Sequence, residues 1–480
     1  MSLNKEITYG ALWSIVDKGG QQIVSFVVFL VMVRLIGPEE YGLAMVCFIY
    51  LSLSILVLSV LSDGVISLQI KNGNELTSLF WIILGVGFFL CSLCLGISYV
   101  MYNFSNNKML GALLSLMSII PILLSLLSIP QSLIIQKMQF RANAIRTLVA
   151  TITSGIAGIL LAYNGFGAFS LIIQQIVLYA VSNIVLWSYV SWRPTFTFKQ
   201  VNTLTNFKPG INLLYSICFT FLEEQAPRFI INIILNATSV GFYSFSYRMK
   251  FALQEITTMP ILTTFYPALS RTKGDQNQQQ KILDNIFFTM FFLVVPAFCF
   301  ASLLAPIYAP LLFGEKWNNS ILLLQIFLLS GSFAPIAIIM RTLCRTYLLV
   351  NKFVRLQAFV VISYLLSVAV IAQFGIIYIG WLTLFTSILT TPMYIYYVNK
   401  WINLNILNAL YCSLKSLFGT IISICFTYLI MLNTPDNSGW LYLLELIFSG
   451  AIFYIITNII LQRKKMELLF NFAKNKTYNQ

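Results

Sequence analysis

The chain has 480 residues, of which 59% are hydrophobic and 9% charged, and its formal net charge is +14. A mean hydropathy of +0.85 exceeds what the surface of a soluble globular protein tolerates, so a soluble enzyme or binding module is excluded. Histidine is absent, which removes the commonest metal ligand and general base, and we expect no metal site. The composition indicates a polytopic membrane protein.

The apolar segments have the length of membrane-spanning helices. Most are long enough to cross the hydrocarbon core as helices, and none alternates strictly as a barrel strand would. The expected fold class is therefore all-α, with about 14 transmembrane helices. We predict spans at 11–36, 43–62, 78–102, 110–135, 148–163, 168–192, 211–235, 240–269, 286–312, 321–342, 353–373, 376–398, 406–432 and 440–461.

The spans divide into two sets of six, followed by a final pair. We predict an N-terminal six-helix lobe at 1–192 and a basic cytoplasmic linker at 193–208. A second six-helix lobe follows at 209–400, and two additional helices with a basic cytoplasmic tail occupy 401–480. Neither a Walker A pattern nor a GxSxG pattern occurs, and the polar interruptions are too short to fold as catalytic domains. We expect a transporter and not an enzyme.

Lys and Arg are distributed unevenly along the chain. When the N-terminus is placed in the cytoplasm, nearly all cations outside the spans fall on the cytoplasmic side, and the outer loops hold only Lys108 and Lys316. The positive-inside rule thus predicts that both termini are cytoplasmic. The net charge is a signal of this topology rather than of a nucleic-acid partner.

The two halves of the sequence resemble each other. Residues 35–42 and 234–241 are both short turns that end in glycine, and the basic loop at 136–146 has a counterpart at 341–355. Because six helices intervene, the two copies share one orientation in the membrane. This pattern predicts pseudo-symmetric six-helix bundles.

Ionisable residues lie inside several predicted spans, above all in the seventh and eighth. Placing such a group inside the membrane costs several kcal/mol of solvation free energy, so each one is a functional candidate by default. The candidates are the cations Lys18, Arg228, Arg248 and Lys250 and the carboxylates Asp17, Asp63, Glu223, Glu224 and Glu255.

Two interpretations of these charges remain open. In the first, the cations line an aqueous cleft between the lobes and bind an anionic, phosphate-bearing substrate. In the second, Glu224 and Arg228 neutralise each other at i and i+4, and Arg248 does the same with Glu255. The carboxylates suit pairing, proton coupling or sodium binding, and the sequence does not choose among these roles. No cofactor is expected.

Several short motifs resemble one family of transporters. They are Gly10 to Trp13, Gln21 with Gln22, Arg34 to Gly42, the basic loop from Gln136 to Arg141, Trp192 to Pro194, and the second-half turn at 240–248. Together they are similar to the polysaccharide flippases of the MOP superfamily, in the Wzx and teichuronic-acid exporter branch.

That resemblance implies two six-helix bundles with two extra C-terminal helices, in a bacterial inner membrane. It implies transport of undecaprenyl-pyrophosphate-linked oligosaccharide to the outer leaflet for surface polysaccharide (O-antigen type) biosynthesis. Polysaccharide polymerase machinery is the implied protein partner. In such relatives, helices one, two, seven and eight line the central cavity.

Two other functions are weighed against the flippase. A multidrug or cation antiporter of the MATE type would need an acidic cavity for cationic compounds. An integral-membrane glycosyl transfer enzyme would need a sizeable outer loop with catalytic groups, whereas the predicted outer loops are about ten residues or shorter. The sugar repeat unit, the coupling ion and the oligomeric state do not follow from the sequence.

Overall fold

The computed structural model describes residues 3–67, 73–104, 107–196, 211–272, 275–402, 404–434 and 439–463. The first nine helices are α1 (Leu3–Leu35), α2 (Pro38–Ser67), α3 (Gly73–Phe104), α4 (Lys108–Met117), α5 (Ile120–Gln136), α6 (Phe140–Tyr163), α7 (Ala168–Tyr189), α8 (Ile211–Ile234) and α9 (Ala237–Thr257). The remaining nine are α10 (Met259–Arg271), α11 (Gln276–Thr289), α12 (Val295–Phe313), α13 (Ile321–Gly331), α14 (Ala334–Thr346), α15 (Val350–Ile371), α16 (Ile376–Trp401), α17 (Ile406–Asn433) and α18 (Trp440–Leu461).

The predicted all-α membrane fold is confirmed. Within the described residues, 12 segments are long and apolar enough to cross a membrane. The predicted count of about 14 also includes α8 and α9, which are helical at the predicted places. Both contain several ionisable residues, so neither is among the 12.

Several predicted spans are built from two helices instead of one. The fourth consists of α4 and α5, the eighth of α9 and α10, and the tenth of α13 and α14. In each case the second helix has a proline in its first turn, at Pro121, Pro260 or Pro335. Proline has no backbone N–H to donate to the preceding turn, so it suits the start of a helix. By contrast, Pro227 lies inside the continuous helix α8.

The chain divides into two compact units, Met1–Gly241 and Phe242–Gln480. The lobe and linker limits predicted from the sequence stay a prediction, and positions 197–210 of the predicted linker region lie outside the described residues. Within unit 1, α6 packs against α1 and α7, while α2 packs against α5 and α8. Its largest apolar core joins α3, α5 and α7 through buried side chains such as Ile83, Leu127 and Leu186.

Unit 2 has an aromatic core of its own. The ring of Phe245 on α9 lies 4.8 Å from the ring of Phe313 and 4.6 Å from that of Trp317, measured between centroids. All three side chains are fully buried. The C-terminal helices α17 and α18 pack against each other, and α17 also contacts α11 and α12. The predicted extra helix pair thus lies within unit 2 and packs against its other helices.

Two turns in the predicted repeats have the same geometry. Residues 137–139 connect α5 to α6, and residues 347–349 connect α14 to α15. In each turn the first residue donates its backbone N–H to the carbonyl four residues earlier. The second residue donates to the carbonyl three residues earlier, and the third to the carbonyl five residues earlier. The middle residue has a positive φ in both, 53° at Met138 and 60° at Leu348. The same hydrogen-bond pattern also occurs at residues 164–166, so it belongs to a common turn at helix ends. The predicted correspondence of the two basic loops stays a prediction.

The other predicted repeat brings two helix starts together within unit 1. A Cβ atom at Gly42 on α2 would overlap the carbonyl oxygen of Ala237 at the start of α9. Reciprocally, a Cβ atom at Gly241 would overlap the carbonyl oxygen of Pro38. Glycine at both positions lets the two backbones touch, as is common where membrane helices cross closely. The matching glycines of the repeat are thus explained by this mutual contact.

Substitution of either crossing glycine by alanine is expected to destabilise the protein. Gly42→Ala or Gly241→Ala must force the two helix starts apart, at a cost of about 1–3 kcal/mol for overpacking. Thermal unfolding in detergent should show a lower midpoint for each variant. Gly85→Ala on α3 is the matched control, because nothing lies within 4 Å of the added Cβ, and there alanine should be neutral or favourable. Equal midpoints for all three variants would contradict the steric role of the crossing.

Candidate functional site

Unit 1 contains a polar cavity between α2 and α5. Its volume is about 220 Å³. Half of the lining is aliphatic, from leucine and isoleucine side chains, and the other half is polar but uncharged. The polar lining residues are Ser59, Ser62, Ser128, Gln131 and Ser132.

The serine side chains present oxygen acceptors to this cavity. Ser59 donates its hydroxyl to the Leu56 carbonyl at 3.0 Å, and Ser128 donates to the Leu124 carbonyl at 2.9 Å. Such bonds to the preceding helical turn satisfy a serine donor inside an apolar helix. Ser132 also reaches across to the Ser62 carbonyl at 3.3 Å, which ties α5 to α2. Because the hydroxyl protons are used in this way, the wall offers mainly lone pairs.

Gln131 connects the cavity to a half-buried cation. The Gln131 Oε1 accepts a hydrogen bond from Arg146 Nη1 at 3.3 Å, and Arg146 Nη2 donates to Thr147 Oγ1 at 3.2 Å. Arg146 was predicted to lie in the cytoplasmic loop 136–146, but α6 already begins at Phe140. The loop assignment of Arg146 is therefore wrong, because the helix continues through polar residues that hydropathy alone leaves outside the span.

A second polar contact lies on the same turn of α6. Asn143 Nδ2 donates to Asp17 Oδ2 on α1 at 2.7 Å. The other oxygens of this pair, Asp17 Oδ1 and Asn143 Oδ1, are both buried and have no hydrogen-bond partner among the described residues. A buried acceptor without a donor can bind a water molecule or a small cation, and a carboxylate oxygen can also take up a proton. Asp17 also interacts electrostatically with Arg146.

The remaining candidates of unit 1 are spread over α1, α2 and α8. Lys18 is exposed, although it adjoins Asp17 in sequence. On α8, Glu223 is exposed while Glu224 is half-buried, and Arg228 Nη1 donates to Gln225 Oε1 at 2.9 Å. The side chain of Asp63 lies outside the described part of the structure.

The candidates of unit 2 lie along α9, where Arg248, Lys250 and Glu255 are all half-buried. The Lys250 ammonium is 5.5 Å from the ring centroids of both Tyr247 and Phe327, and it lies 3.5 Å from Ser330 Oγ. Aromatic faces attract a cation within about 6 Å, more strongly where water is excluded. The Lys250 charge is thus stabilised by side chains of α9 and α13.

The structure joins some predicted residues to partners that the sequence did not indicate. Asp17 meets Asn143, and Lys250 meets Phe327, whereas Lys18 has no such neighbour described. Gln131 and Arg146 were missed as site residues. Gln131 stands inside the apolar run of α5, and a polar amide at that depth was the available signal for it.

Sequence comparison relates the chain to polysaccharide biosynthesis proteins. A family model described as "Polysaccharide biosynthesis protein" matches residues 31–322. The chain is 23% identical over 320 residues to the succinoglycan biosynthesis transport protein ExoT of Rhizobium meliloti, covering 65% of this chain and 64% of that protein. It is 23% identical over 340 residues to the lipopolysaccharide biosynthesis protein WzxC of Escherichia coli, covering 69% of this chain and 68% of that protein. The alignment with the Rhizobium protein thus spans just under two thirds of that protein's length.

Structural comparison gives a longer match. The chain is similar to the lipid II flippase MurJ in an inward closed conformation, with a TM-score of 0.72 and 17% sequence identity. The superposition covers 95% of this chain and 100% of that one. At this identity the likeness concerns the fold.

The contact between Gln131 and Arg146 is expected to stabilise unit 1. Arg146→Ala leaves the amide without its charged donor, which should lower the free energy of unfolding by about 1–3 kcal/mol. Because Gln131→Ala removes the same bond, the double variant should lose less than the sum of the single losses. Chemical unfolding of the four proteins in detergent measures this coupling.

Arg355→Ala is the control for this cycle, since Arg355 is an exposed arginine on α15 and its loss should change stability by no more than about 0.5 kcal/mol. Additive losses for Gln131→Ala and Arg146→Ala would show that their contact contributes nothing.

Proposed function

The chain belongs to the polysaccharide biosynthesis protein family, and on that premise we propose that it flips lipid-linked oligosaccharides across a bacterial membrane. The substrate class is an undecaprenyl-pyrophosphate-linked repeat unit, which moves from the inner to the outer leaflet for surface polysaccharide synthesis. The lipid tail stays in the bilayer while the pyrophosphate and sugars cross. A polysaccharide polymerase on the outer side would receive the product.

One observation carries this proposal. Among the described residues, the predicted spans that fall outside the 12 apolar ones are that of α8 and that of α9 with α10, and they hold Arg228, Arg248 and Lys250. Cations inside a membrane protein are costly unless they have a partner or face water. A pyrophosphate group is an anion that arginine binds through paired hydrogen bonds. Together with Lys18 on α1, these cations are the residues that we propose attract the substrate headgroup.

The polar cavity of unit 1 supports a saccharide substrate. Its wall has serine oxygens and the Gln131 amide beside aliphatic side chains. Sugars present hydroxyl donors together with apolar C–H faces, so this mixture of lining groups suits them. The absence of charged residues from this cavity lining favours the neutral part of the substrate over the pyrophosphate.

For the energy source, we propose coupling at Asp17. Its Oδ1 and Asn143 Oδ1 are two of the buried acceptors without a donor among the described residues. A proton or a sodium ion would satisfy Asp17 Oδ1. The carboxylates Asp63, Glu223, Glu224 and Glu255 stay as further candidates for coupling or pairing. We place the protein in the bacterial inner membrane with both termini in the cytoplasm, following the distribution of Lys and Arg.

A multidrug or cation antiporter is the second candidate function. The half-buried carboxylates Glu224 and Glu255 are the observation that favours it, because a cationic compound needs an acidic partner. Loss of cationic-dye export on deletion of the gene, with surface polysaccharide still at its normal level, would establish this function instead.

Charge reversal on α8 or α9 is expected to abolish flipping. Cells that lack the gene and produce Arg228→Glu or Arg248→Glu should make no surface polysaccharide, because a carboxylate repels the pyrophosphate. Lipid-linked sugars, identified by mass spectrometry, should accumulate in these cells. The amount of the variant protein in the membrane should stay at the wild-type level. The control is Lys108→Glu, an exposed residue at the start of α4, which should keep polysaccharide at the wild-type level. Normal polysaccharide in both arginine variants would overturn the role of these cations.

Loss of the Asp17 carboxylate is expected to uncouple transport from its ion. In liposomes, the wild-type protein should flip a fluorescent lipid-linked oligosaccharide faster under a proton or sodium gradient. Asp17→Asn should lose that gradient-dependent increase, since the amide neither titrates nor carries charge. Glu315→Gln, at an exposed carboxylate, should respond as the wild type does. An unchanged response in Asp17→Asn would exclude coupling at this residue and leave the flippase function standing.

A further inference from the structure

The two matching turns at residues 137–139 and 347–349 have a large apolar residue at a position where glycine is usual. Met138 and Leu348 have positive φ values of 53° and 60°, in the left-handed region where a side chain clashes with its own backbone. Glycine adopts this conformation without that cost, and asparagine tolerates it better than an aliphatic residue. A large apolar side chain at the same point of both turns adds strain, which a contact of that side chain can offset.

The described residues do not supply that contact. Met138 is 60% exposed and Leu348 is 80% exposed, so neither side chain is compensated by packing in a core. Both turns lie between consecutive membrane spans, the first between 108–136 and 140–163, and the second between 315–346 and 350–374. Each apolar side chain therefore projects at the level where a helix pair leaves the hydrocarbon.

The turns are surrounded by positive charge. Exposed cations flank both of them, and neither 136–146 nor 341–355 contains an acidic residue. An exposed apolar tip among exposed cations matches the boundary of a bilayer that carries anionic headgroups. The flanking cations are Lys137 and Arg141 at the first turn and Arg345, Lys352 and Arg355 at the second.

A tryptophan accompanies each basic cluster. The Arg141 guanidinium lies 5.7 Å from the ring centroid of Trp13, and the Lys352 ammonium lies 5.8 Å from that of Trp401. Tryptophan is enriched at the membrane–water interface, where one part of the ring is apolar and the other is wet. Six predicted crossings separate the two turns, so the predicted topology places both on the same side of the membrane.

From these observations we infer that the two turns are binding sites for anionic phospholipid, one in each repeat. Met138 and Leu348 insert between the acyl chains, and the flanking cations bind the lipid phosphate. The left-handed backbone aims each apolar tip at the bilayer, and the lipid contact compensates its strain. This inference concerns the surrounding lipid and does not depend on the transported substrate.

The test uses the full-length protein in nanodiscs of phosphatidylcholine, with or without phosphatidylglycerol. Native mass spectrometry counts the phosphatidylglycerol that each protein retains. The wild type should retain it in preference to phosphatidylcholine. Lys137→Gln combined with Arg345→Gln should weaken retention about fivefold for each cation removed. Lys108→Gln is the matched control, an exposed lysine predicted on the opposite side, and it should retain the lipid as the wild type does.

A second variant separates lipid binding from a packing role. Met138→Gly combined with Leu348→Gly should lose the preference for phosphatidylglycerol. Its unfolding midpoint in phosphatidylcholine should equal or exceed that of the wild type, because glycine accepts a positive φ. A lower midpoint in phosphatidylcholine would show that these side chains serve packing, and it would overturn the inference.

Two further outcomes would contradict the inference. Unchanged retention of phosphatidylglycerol in the cation variant would mean that the turns do not bind anionic headgroups. Displacement of the lipid from the wild type by inorganic phosphate, beyond the effect of chloride at equal ionic strength, would indicate a simple anion pocket and not a bilayer contact. Because no arm of the experiment measures flipping, its result is independent of the proposed function.

Discussion

Every backbone polar group inside the hydrocarbon must find its partner within the protein, and buried side chains are stabilised when they do the same. Backbone groups meet this requirement by forming helices throughout the spans. Serine hydroxyls meet it by donating to carbonyls of the preceding turn, as Ser54 and Ser128 do. Groups that one helix cannot satisfy, such as the carboxylate of Asp17, need a partner on a neighbouring helix. Polar side chains thereby help to fix which helices pack together in unit 1.

The spans could be predicted because hydrophobic length is a local property of the sequence. The helix breaks could not, since a proline in an apolar run has two outcomes that composition does not distinguish. Pro227 is accommodated inside α8, whereas Pro260 stands in the first turn of α10. The repeat was predictable in outline from Gly42 and Gly241, but the contact that requires both glycines depends on the packing of α2 against the start of α9.

The candidate site was predicted in part. Asp17 and Lys250 were identifiable as charges within apolar runs, but their partners Asn143 and Phe327 are distant in sequence and follow only from helix packing. Arg146 was placed in a loop because nearby polar residues lower the local hydropathy. Its bond to Gln131 requires α5 and α6 to fold back on each other, and the turn at 137–139 brings this about.

The crossing of α2 and α9 also limits how the sequence can change. At most helix contacts, a bulky new side chain can be accommodated when a facing side chain becomes smaller. At Gly42 and Gly241 the facing atom is a main-chain carbonyl oxygen, which every amino acid carries. No substitution on the opposite helix can make room for a side chain at Gly42 or Gly241. Genetic suppressors of a change at either glycine must therefore restore the glycine or displace a whole helix.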